Sequence, residues 1–165
     1  MSEELTVTGS NREEKYRSLL PQVRALAAGE PDAVARLANI CAALKYSMGY
    51  FWVGFYLVRG EELVLGPFQG PVACTRIARG RGVCGRCWES GETLLVEDVR
   101  LFPGHIACNS ASRSEIVVPL RDREGRVAGV LDVDQDAVGA FDAIDRKYLV
   151  EVAAIAMYEG EGIEP

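Results

Sequence analysis

The sequence lacks the features that would carry a chain to or across a membrane. No hydrophobic run approaches the roughly 18 residues that a membrane-spanning helix needs. The first ten residues, MSEELTVTGS, are acidic and contain no apolar stretch of the kind found in signal peptides. We therefore expect a cytosolic protein that does not bind membranes.

Basic residues are also scarce relative to acidic ones. The chain has 18 Lys and Arg residues against 24 Asp and Glu residues, which gives a formal charge of −6. Proteins that bind nucleic acid or anionic lipid do so through a basic surface, and the net negative charge of this chain disfavours such a surface. We expect no nucleic-acid partner and instead a small molecule or a protein; a homodimer is an open alternative to a monomer.

Internal repeats and low-complexity segments are absent as well. The chain has 165 residues, 48% of them hydrophobic, which is enough to bury one core. These features predict a single domain over residues 1–165, in which residues 1–12 are flexible.

Apolar residues recur at helical spacing in three segments, two near the start and one near the end. The first covers residues 16–26 and contains Pro21, which predicts a helix start or a kink at that point. The second follows Pro31, and the third begins after a capping residue, Asp142. Cys41 falls in the apolar stripe of the second helix, where it is interpreted as a buried packing residue.

Residues that favour strands occupy the middle of the chain. Two hairpins are predicted, over residues 51–67 and 114–134, with shorter strands at 73–77 and 93–96 and a short helix from about residue 83. Residues 97–113 show no periodicity. The pattern predicts an α+β domain with a central antiparallel sheet, the N- and C-terminal helices on one face and pocket-forming loops on the other.

Four of the five cysteines lie outside the helical stripes, in glycine-rich or irregular segments, and are therefore candidates for chemistry. Cys84 and Cys87 have the spacing of a zinc knuckle, which Cys74, Cys108 or His105 would complete. Thiol redox chemistry is the other interpretation, and the predicted helix start at Cys84 would lower a thiol pKa. His105 and Cys108 are also close enough in sequence for a Cys–His dyad.

Acidic and aromatic residues supplement the thiols. Asp132 and Asp134 are two residues apart on a predicted strand, so their side chains lie on the same face of it. Glu115 begins the preceding strand. Carboxyl groups gathered in a pocket would raise one another's pKa and provide a proton donor; the alternative is a solvent-facing strand end. Trp52 and Tyr56 also share a strand face and form either part of the core or a pocket wall.

Five motifs occur in one order: GPFQGPVAC (66–74), GRGVCG (80–85), FPGHIAC (102–108), SEIVVPL (114–120) and GVLDVD (129–134). Together they resemble the motifs of the free methionine-(R)-sulfoxide reductases, which are single GAF domains. The resemblance implies reduction of free L-methionine-(R)-S-oxide to L-methionine. It implies no metal and no organic cofactor, and recycling by thioredoxin or a similar dithiol.

The resemblance also implies roles for the cysteines. Cys108 matches the attacking thiol, which becomes a sulfenic acid, and Cys84 matches the resolving thiol that then forms a disulfide with it. Cys74 matches an auxiliary thiol. Cys87 stands where the family has a small or polar residue, so the order in which the thiols resolve is open.

The remaining site residues follow from the same resemblance. Glu115 matches the acid that protonates the sulfoxide oxygen, and with Asp132 and Asp134 it matches the acids that hold the substrate amino group. Trp52 and Tyr56 match the aromatic wall around the methyl sulfur end. A non-catalytic GAF sensor of a small ligand or of redox state is the alternative function, since one fold hosts both.

Overall fold

Four α-helices and six strands make up residues 4–157, the part of the chain that this computed structural model describes. The helices are α1 (Arg12–Ala28), α2 (Ala33–Met48), α3 (Gly82–Ser90) and α4 (Ala143–Ala156). The strands are β1 (Trp52–Arg59), β2 (Glu62–Gln69), β3 (Arg76–Ala78), β4 (Leu94–Val96), β5 (Ser114–Arg121) and β6 (Val127–Gln135), with a 3₁₀ turn at Val99–Leu101. Among these residues, no helix is both long enough and apolar enough to span a membrane.

The six strands form one antiparallel sheet in the order β3-β2-β1-β6-β5-β4. α2 and α4 cover one face, where residues such as Phe55, Val118 and Leu131 are buried, and α1 packs on α2 and α4 on the same side of the sheet. α3 and the long loops cover the other face, above a second and smaller apolar cluster around Val117 and Val130. This arrangement confirms the predicted α+β class and its division into a helical face and a pocket face.

The first helix differs from the prediction because it continues through Pro21. The proline ring removes one backbone donor but lies on the exposed side of the helix. The Gln22 side chain donates to the carbonyl oxygen of Ser18 at 2.9 Å, within the same turn. Leu19 and Leu20 are buried in the core, where α1 packs against α2 and α4, and this packing holds the helix together.

The N-terminal segment was expected to be flexible up to residue 12. Residues 1–3 lie outside the described residues, whereas residues 4–11 lie along α1. The Thr6 amide donates to Gln22 Oε1 at 2.9 Å, and the Thr8 amide donates to Ser18 Oγ at 3.1 Å. Leu5 packs against the helical core. These contacts hold the described part of the segment, so it is not a free tail.

The last helix begins as predicted, with Asp142 as its N-cap. The Asp142 carboxylate accepts from the amides of Ile144 and Asp145, and the Asp145 side chain accepts from the Asp142 amide, which completes a capping box. The buried Asp145 carboxylate also pairs with Arg12 and accepts from the Tyr16 hydroxyl at 2.7 Å. The cap thereby joins α4 to α1.

Two further details correct or confirm the sequence prediction. The third strand covers Arg76–Ala78 rather than 73–77, because its regular ladder with β2 extends over these three residues. Helical spacing places Val34 in the same apolar stripe of α2 as Cys41, but Val34 is 66% exposed because it lies in the first turn of the helix. Cys41 is buried as predicted, its sulfur 3.3 Å from the carbonyl oxygen of Pro67, and burial raises its thiol pKa.

Candidate active site

Strand register brings the predicted acids and an aromatic residue into one row on the pocket face. Trp52 in β1 pairs with Asp134 in β6, which in turn pairs with Glu115 in β5. One step along the strands, Asp132 lies beside Gly54. Since alternate residues of a strand share a face, the three acids meet on the side of the sheet that faces α3.

The acids are buried and hold protons more tightly than usual. Glu115, Asp132 and Asp134 are each less than 10% exposed. Burial raises the pKa of Asp132 to about 6, and burial together with the neighbouring carboxylates raises the pKa of Glu115 and of Asp134 well above their ordinary values. Glu115 also forms a side-chain hydrogen bond with Asp132. Glu115 therefore keeps its proton to a higher pH than an exposed glutamate does.

One oxygen of this cluster has no partner. Asp132 Oδ1 is buried and has no hydrogen-bond donor among residues 4–157. A buried carboxylate oxygen without a donor is costly, and such atoms in native proteins call for an explanation. Because Asp132 lines a cavity, a positively charged group of a ligand would satisfy it.

Cys84 lies in the first turn of α3, directly above the acids. Its sulfur is 3.8 Å from Glu115 Oε1, and the residue is 4% exposed. Burial and the negative charges of Asp132 and Glu115 raise the thiol pKa well above its usual value. The expectation that the helix start lowers this pKa is therefore wrong, because desolvation and the acids outweigh the helix dipole.

The zinc-knuckle interpretation of Cys84 and Cys87 is also not supported by the geometry. Cys87 is buried between α3 and β5, with its sulfur 3.7 Å from the carbonyl oxygen of Val117, and it does not line the cavity that Cys84 lines. Within residues 4–157, the one group of side chains that could hold a metal ion is Cys84, Glu115 and Asp132, whose ligand atoms all lie within 4.8 Å of one another. It does not include Cys87.

A disulfide joins Cys108, in the loop before β5, to Cys74, in the loop after β2. Their Cα atoms are 5.2 Å apart. The family resemblance implied that Cys84 is the partner of Cys108, and the structure corrects this pairing. The physical reason is placement: Cys84 remains a free thiol beneath α3 beside Glu115, whereas Cys74 and Cys108 lie on loops that meet.

Trp52 and Tyr56 form one wall of the site. Their ring centroids are 6.1 Å apart, and both residues are buried. The Trp52 indole donates to the carbonyl oxygen of Pro71 at 3.0 Å, and the Tyr56 hydroxyl donates to the carbonyl oxygen of Cys74 at 2.8 Å. The aromatic pair thus both lines the site and fixes the segment that carries Cys74.

These residues surround a cavity of about 50 Å³. Seven of the eight predicted site residues line it: Trp52, Tyr56, Cys84, Cys108, Glu115, Asp132 and Asp134. Cys74 joins them through its disulfide. Sequence reasoning gave no site role to several other lining residues, namely Arg81, Gly82, Val83, Ile106, Asn109 and Ser112. These residues come from loops and from the start of α3, where no sequence periodicity shows which side chains face a ligand. Their position within or beside the GRGVCG and FPGHIAC motifs was the one sequence signal for a role in the site.

His105 also lines the cavity. Its Nδ1 atom is buried and has no hydrogen-bond partner among residues 4–157, and burial lowers the pKa of the imidazole, which is therefore neutral at pH 7. No hydrogen bond joins it to Cys108 in the described part of the chain, since Cys108 is bonded to Cys74. The geometry does not support the Cys–His dyad.

Known proteins resemble this chain in sequence and in fold. The GAF domain family matches residues 27–157. GAF domain-containing protein A of Dictyostelium discoideum is 56% identical over 92% of this chain and 96% of its own length. The free methionine-R-sulfoxide reductase of Escherichia coli is 45% identical over 87% of each chain. The structure of a free methionine-R-sulfoxide reductase from Neisseria meningitidis in complex with its substrate is 53% identical, covers 94% of this chain and 93% of that chain, and superimposes with a TM-score of 0.92. The chain belongs to the GAF-domain family and, within it, to the group of the free methionine-R-sulfoxide reductases.

Proposed function

We propose that this chain reduces free L-methionine-(R)-S-oxide to L-methionine. The observation that carries the proposal is the disulfide between Cys74 and Cys108 at a cavity lined by three buried acids. A sulfoxide sulfur becomes a good electrophile only when its oxygen is protonated or strongly hydrogen-bonded. A thiol and a protonated carboxyl group on one cavity meet that requirement. The names of the relatives support the same substrate.

The reaction is a two-thiol reduction. The Cys108 thiolate attacks the sulfoxide sulfur while Glu115 gives a proton to the oxygen; methionine leaves, and Cys108 becomes a sulfenic acid. The Cys74 thiol then attacks the Cys108 sulfur, water leaves, and the disulfide forms. Thioredoxin or a similar cytosolic dithiol reduces this disulfide and becomes oxidised itself. The disulfide in the structure corresponds to the end of this cycle.

The substrate is oriented by both walls of the cavity. Its ammonium group binds the carboxylates of Asp132 and Asp134, which supplies the missing partner of Asp132 Oδ1. Its methyl sulfur end packs against Trp52 and Tyr56. A methionine sulfoxide within a peptide has an amide nitrogen without charge, so the acids favour the free amino acid.

Cys84 has a positioning role in this proposal. Its raised pKa keeps it a thiol, and a thiol next to Glu115 Oε1 can donate a weak hydrogen bond that orients the carboxyl group. Cys87 lies outside the cavity lining and takes no part.

The test is a stereospecific assay with thioredoxin, its reductase and NADPH. We expect turnover of free L-methionine-(R)-S-oxide and none of the S epimer. Cys108→Ser abolishes turnover, whereas the matched control Cys87→Ser keeps it. Undiminished turnover in Cys108→Ser would overturn the assignment of the nucleophile. A wild-type protein that binds the compound without reducing it would instead be a GAF sensor.

The same assay separates the two candidate resolving thiols. Cys74→Ser should release one methionine per chain and then stop, because the sulfenic acid has no partner. Cys84→Ser should still form the Cys74–Cys108 disulfide, which mass spectrometry after a single turnover detects. A Cys84–Cys108 disulfide as the main product in the wild type would restore the original assignment of Cys84.

A further inference from the structure

Acidic residues are missing from the two segments that carry the Cys74–Cys108 disulfide. Residues 63–88 and residues 99–114 contain no Asp or Glu, although the whole chain has 24 of them. The same segments contain six of the 18 Lys and Arg residues: Arg76, Arg79, Arg81, Arg86, Arg100 and Arg113. The rest of the chain is left with 12 basic residues against all 24 acidic ones. Positive charge in this acidic protein is therefore concentrated in the segments around the disulfide.

Three of these arginines follow Cys74 closely in the chain and are exposed. They lie on β3 or in the turn after it, and we call them the basic rim: Arg76, Arg79 and Arg81. Two exposed carboxylates lie beside the rim, Glu62 at 3.4 Å from Arg76 Nη1 and Glu89 next to Gly80. Exposed ion pairs are weak, and the three acids of the cavity are buried. The surface beside Cys74 thus keeps an excess of positive charge.

An exposed apolar side chain lies just before Cys74 in the chain. Val72 is 85% exposed, which makes it the most exposed large apolar residue among residues 4–157. Residues 72–74 form neither a turn nor a strand, and the N–H and carbonyl groups of Val72 have no hydrogen-bond partner in the described part of the chain. A segment with an exposed apolar side chain and free backbone groups is one that a partner protein can pair with. Cys74 therefore lies between an apolar contact and the basic rim.

The two halves of the disulfide differ in what they face. Cys108 lines the cavity, whose volume of about 50 Å³ is too small for a loop of another protein. Cys74 is not part of that lining, and its segment is held in place. The Cys74 carbonyl oxygen accepts from the Tyr56 hydroxyl at 2.8 Å, and the Thr75 carbonyl oxygen accepts from the Leu65 amide at 3.0 Å. Because access decides which sulfur of a disulfide is attacked, Cys74 is the one open to a protein thiol.

We propose that Val72 and the basic rim form a docking surface for an acidic dithiol protein, whose thiolate attacks the sulfur of Cys74. This inference rests on the proposed function, because recycling by a dithiol is part of it. Charge complementarity selects the partner: acidic residues around its thiol meet the arginines of the rim, which speeds the encounter and favours the correct orientation. A small uncharged dithiol makes no such contacts and reduces the disulfide without this surface.

The exchange has two steps. The partner thiolate forms a bond with the Cys74 sulfur, the bond between Cys74 and Cys108 breaks, and Cys108 leaves as a thiolate. The second partner thiol then attacks the partner sulfur of the mixed disulfide and gives its proton to Cys74, which leaves as a thiol. The Cys74–Cys108 disulfide gains two electrons, the partner dithiol loses two electrons, and Cys108 is released on the cavity side as the thiolate that the next substrate requires.

The first experiment measures reduction of the oxidised protein without any sulfoxide, so its outcome is separate from that of the proposed reaction. The reductants are a thioredoxin of acidic pI and dithiothreitol, which is small and uncharged. Between roughly 0.01 M and 1 M salt, we expect the rate constant with thioredoxin to fall by roughly tenfold and that with dithiothreitol to stay within about twofold. The same salt response with both reductants overturns the role of the basic rim.

Two variants with matched controls locate the surface. The double variant Arg76→Gln/Arg79→Gln is compared with Arg24→Gln, an exposed arginine of α1, and Val72→Ser is compared with Val34→Ser, an exposed valine of α2. The double variant and Val72→Ser should each lower the rate with thioredoxin by roughly tenfold and leave the rate with dithiothreitol within about twofold. The controls should behave as the wild type. An unchanged rate with thioredoxin, or an equal loss with both reductants, overturns the docking surface.

The sulfur that is attacked is identified with a thioredoxin whose second cysteine is replaced by serine, so that the mixed disulfide accumulates. The mixture is quenched with acid as the complex forms, and the linked peptides are identified by mass spectrometry after digestion. We expect thioredoxin on Cys74, and thioredoxin on Cys108 overturns the assignment. Salt-sensitive self-association in sedimentation, with no effect of the variants on reduction, would assign the surface to a second copy of this chain and also overturn the inference.

Discussion

The proton on Glu115 is the residue-scale feature on which the proposed chemistry depends. Burial beside Asp132 and Asp134 raises the pKa of Glu115, since each ionised neighbour disfavours a further negative charge. The proposed mechanism requires that this carboxyl group is protonated when substrate arrives, so that it can give its proton to the sulfoxide oxygen. An exposed glutamate would have lost its proton below pH 5 and could not do so at neutral pH.

Glu115→Gln keeps the shape of the side chain and removes the transferable proton. We expect kcat to fall by roughly 10²- to 10⁴-fold, the usual contribution of a general acid. In the wild type, activity should persist while Glu115 is protonated and decline as pH rises through its raised pKa; Glu115→Gln should lack this decline. The pH dependence of kcat for both proteins measures the effect, with the exposed Glu92→Gln as control. A variant with wild-type kcat and pH profile would exclude Glu115 as the acid.

At the scale of an element, β1 presents the aromatic wall because Gly54 separates its two rings. A Cβ atom on Gly54 would come within 2.5 Å both of the Phe68 Cβ atom and of the Trp52 ring. The Trp52 ring stacks on Phe68 with a centroid distance of 5.4 Å, over the space that Gly54 leaves. The glycine therefore determines where the indole lies, and with it the width of the cavity.

Gly54→Ala should displace the Trp52 ring from this position. We expect a loss of roughly 1–3 kcal/mol in the free energy of unfolding, as is usual for an overpacked site. We also expect a higher KM for the free sulfoxide and a shift in tryptophan fluorescence. Gly29→Ala is the matched control, because no atom lies within 4 Å of a Cβ atom built there. Unchanged stability and KM in Gly54→Ala would show that Trp52 does not depend on the glycine.

At the scale of the whole molecule, the sheet separates a structural side from a chemical side. The helical face buries most of the large apolar residues, whereas the pocket face has a smaller apolar cluster and three buried acids. On the pocket side, the Cys74–Cys108 disulfide joins two loops that are 34 residues apart in sequence. In the proposed cycle, each reduction of this disulfide removes a covalent link from the face that has the smaller apolar cluster.

The reduced protein should accordingly be less stable than the oxidised one. A crosslink across a loop of this length restricts the unfolded chain, which corresponds to roughly 3–4 kcal/mol in the free energy of unfolding. Urea denaturation with and without a phosphine reductant measures the difference. Cys74→Ser should show none, while Cys87→Ser, which leaves the disulfide intact, should show it in full. Equal stability of the two redox forms of the wild type would contradict this expectation.

The sequence by itself determined the elements and their order. Runs of strand-forming residues predicted both hairpins, helical spacing predicted the burial of Cys41, and the capping preference of aspartate predicted the start of α4 after Asp142, because such signals are local to one element. It also determined the family, since five motifs in one order carry that resemblance. The continuation of α1 through Pro21 was missed because packing of α1 against α2 and α4 outweighs the local cost of the proline.

Only the tertiary structure decided how the site residues meet. Cys108 pairs with Cys74 rather than Cys84, and the thiol pKa of Cys84 is raised rather than lowered. Arg81 lines the cavity, although no periodicity in the sequence predicted that it would. Which cysteines form a disulfide and how strongly burial shifts a thiol pKa both depend on distances between segments far apart in the chain. Those distances are set by strand register and by where loops cross the sheet, which local sequence patterns do not encode.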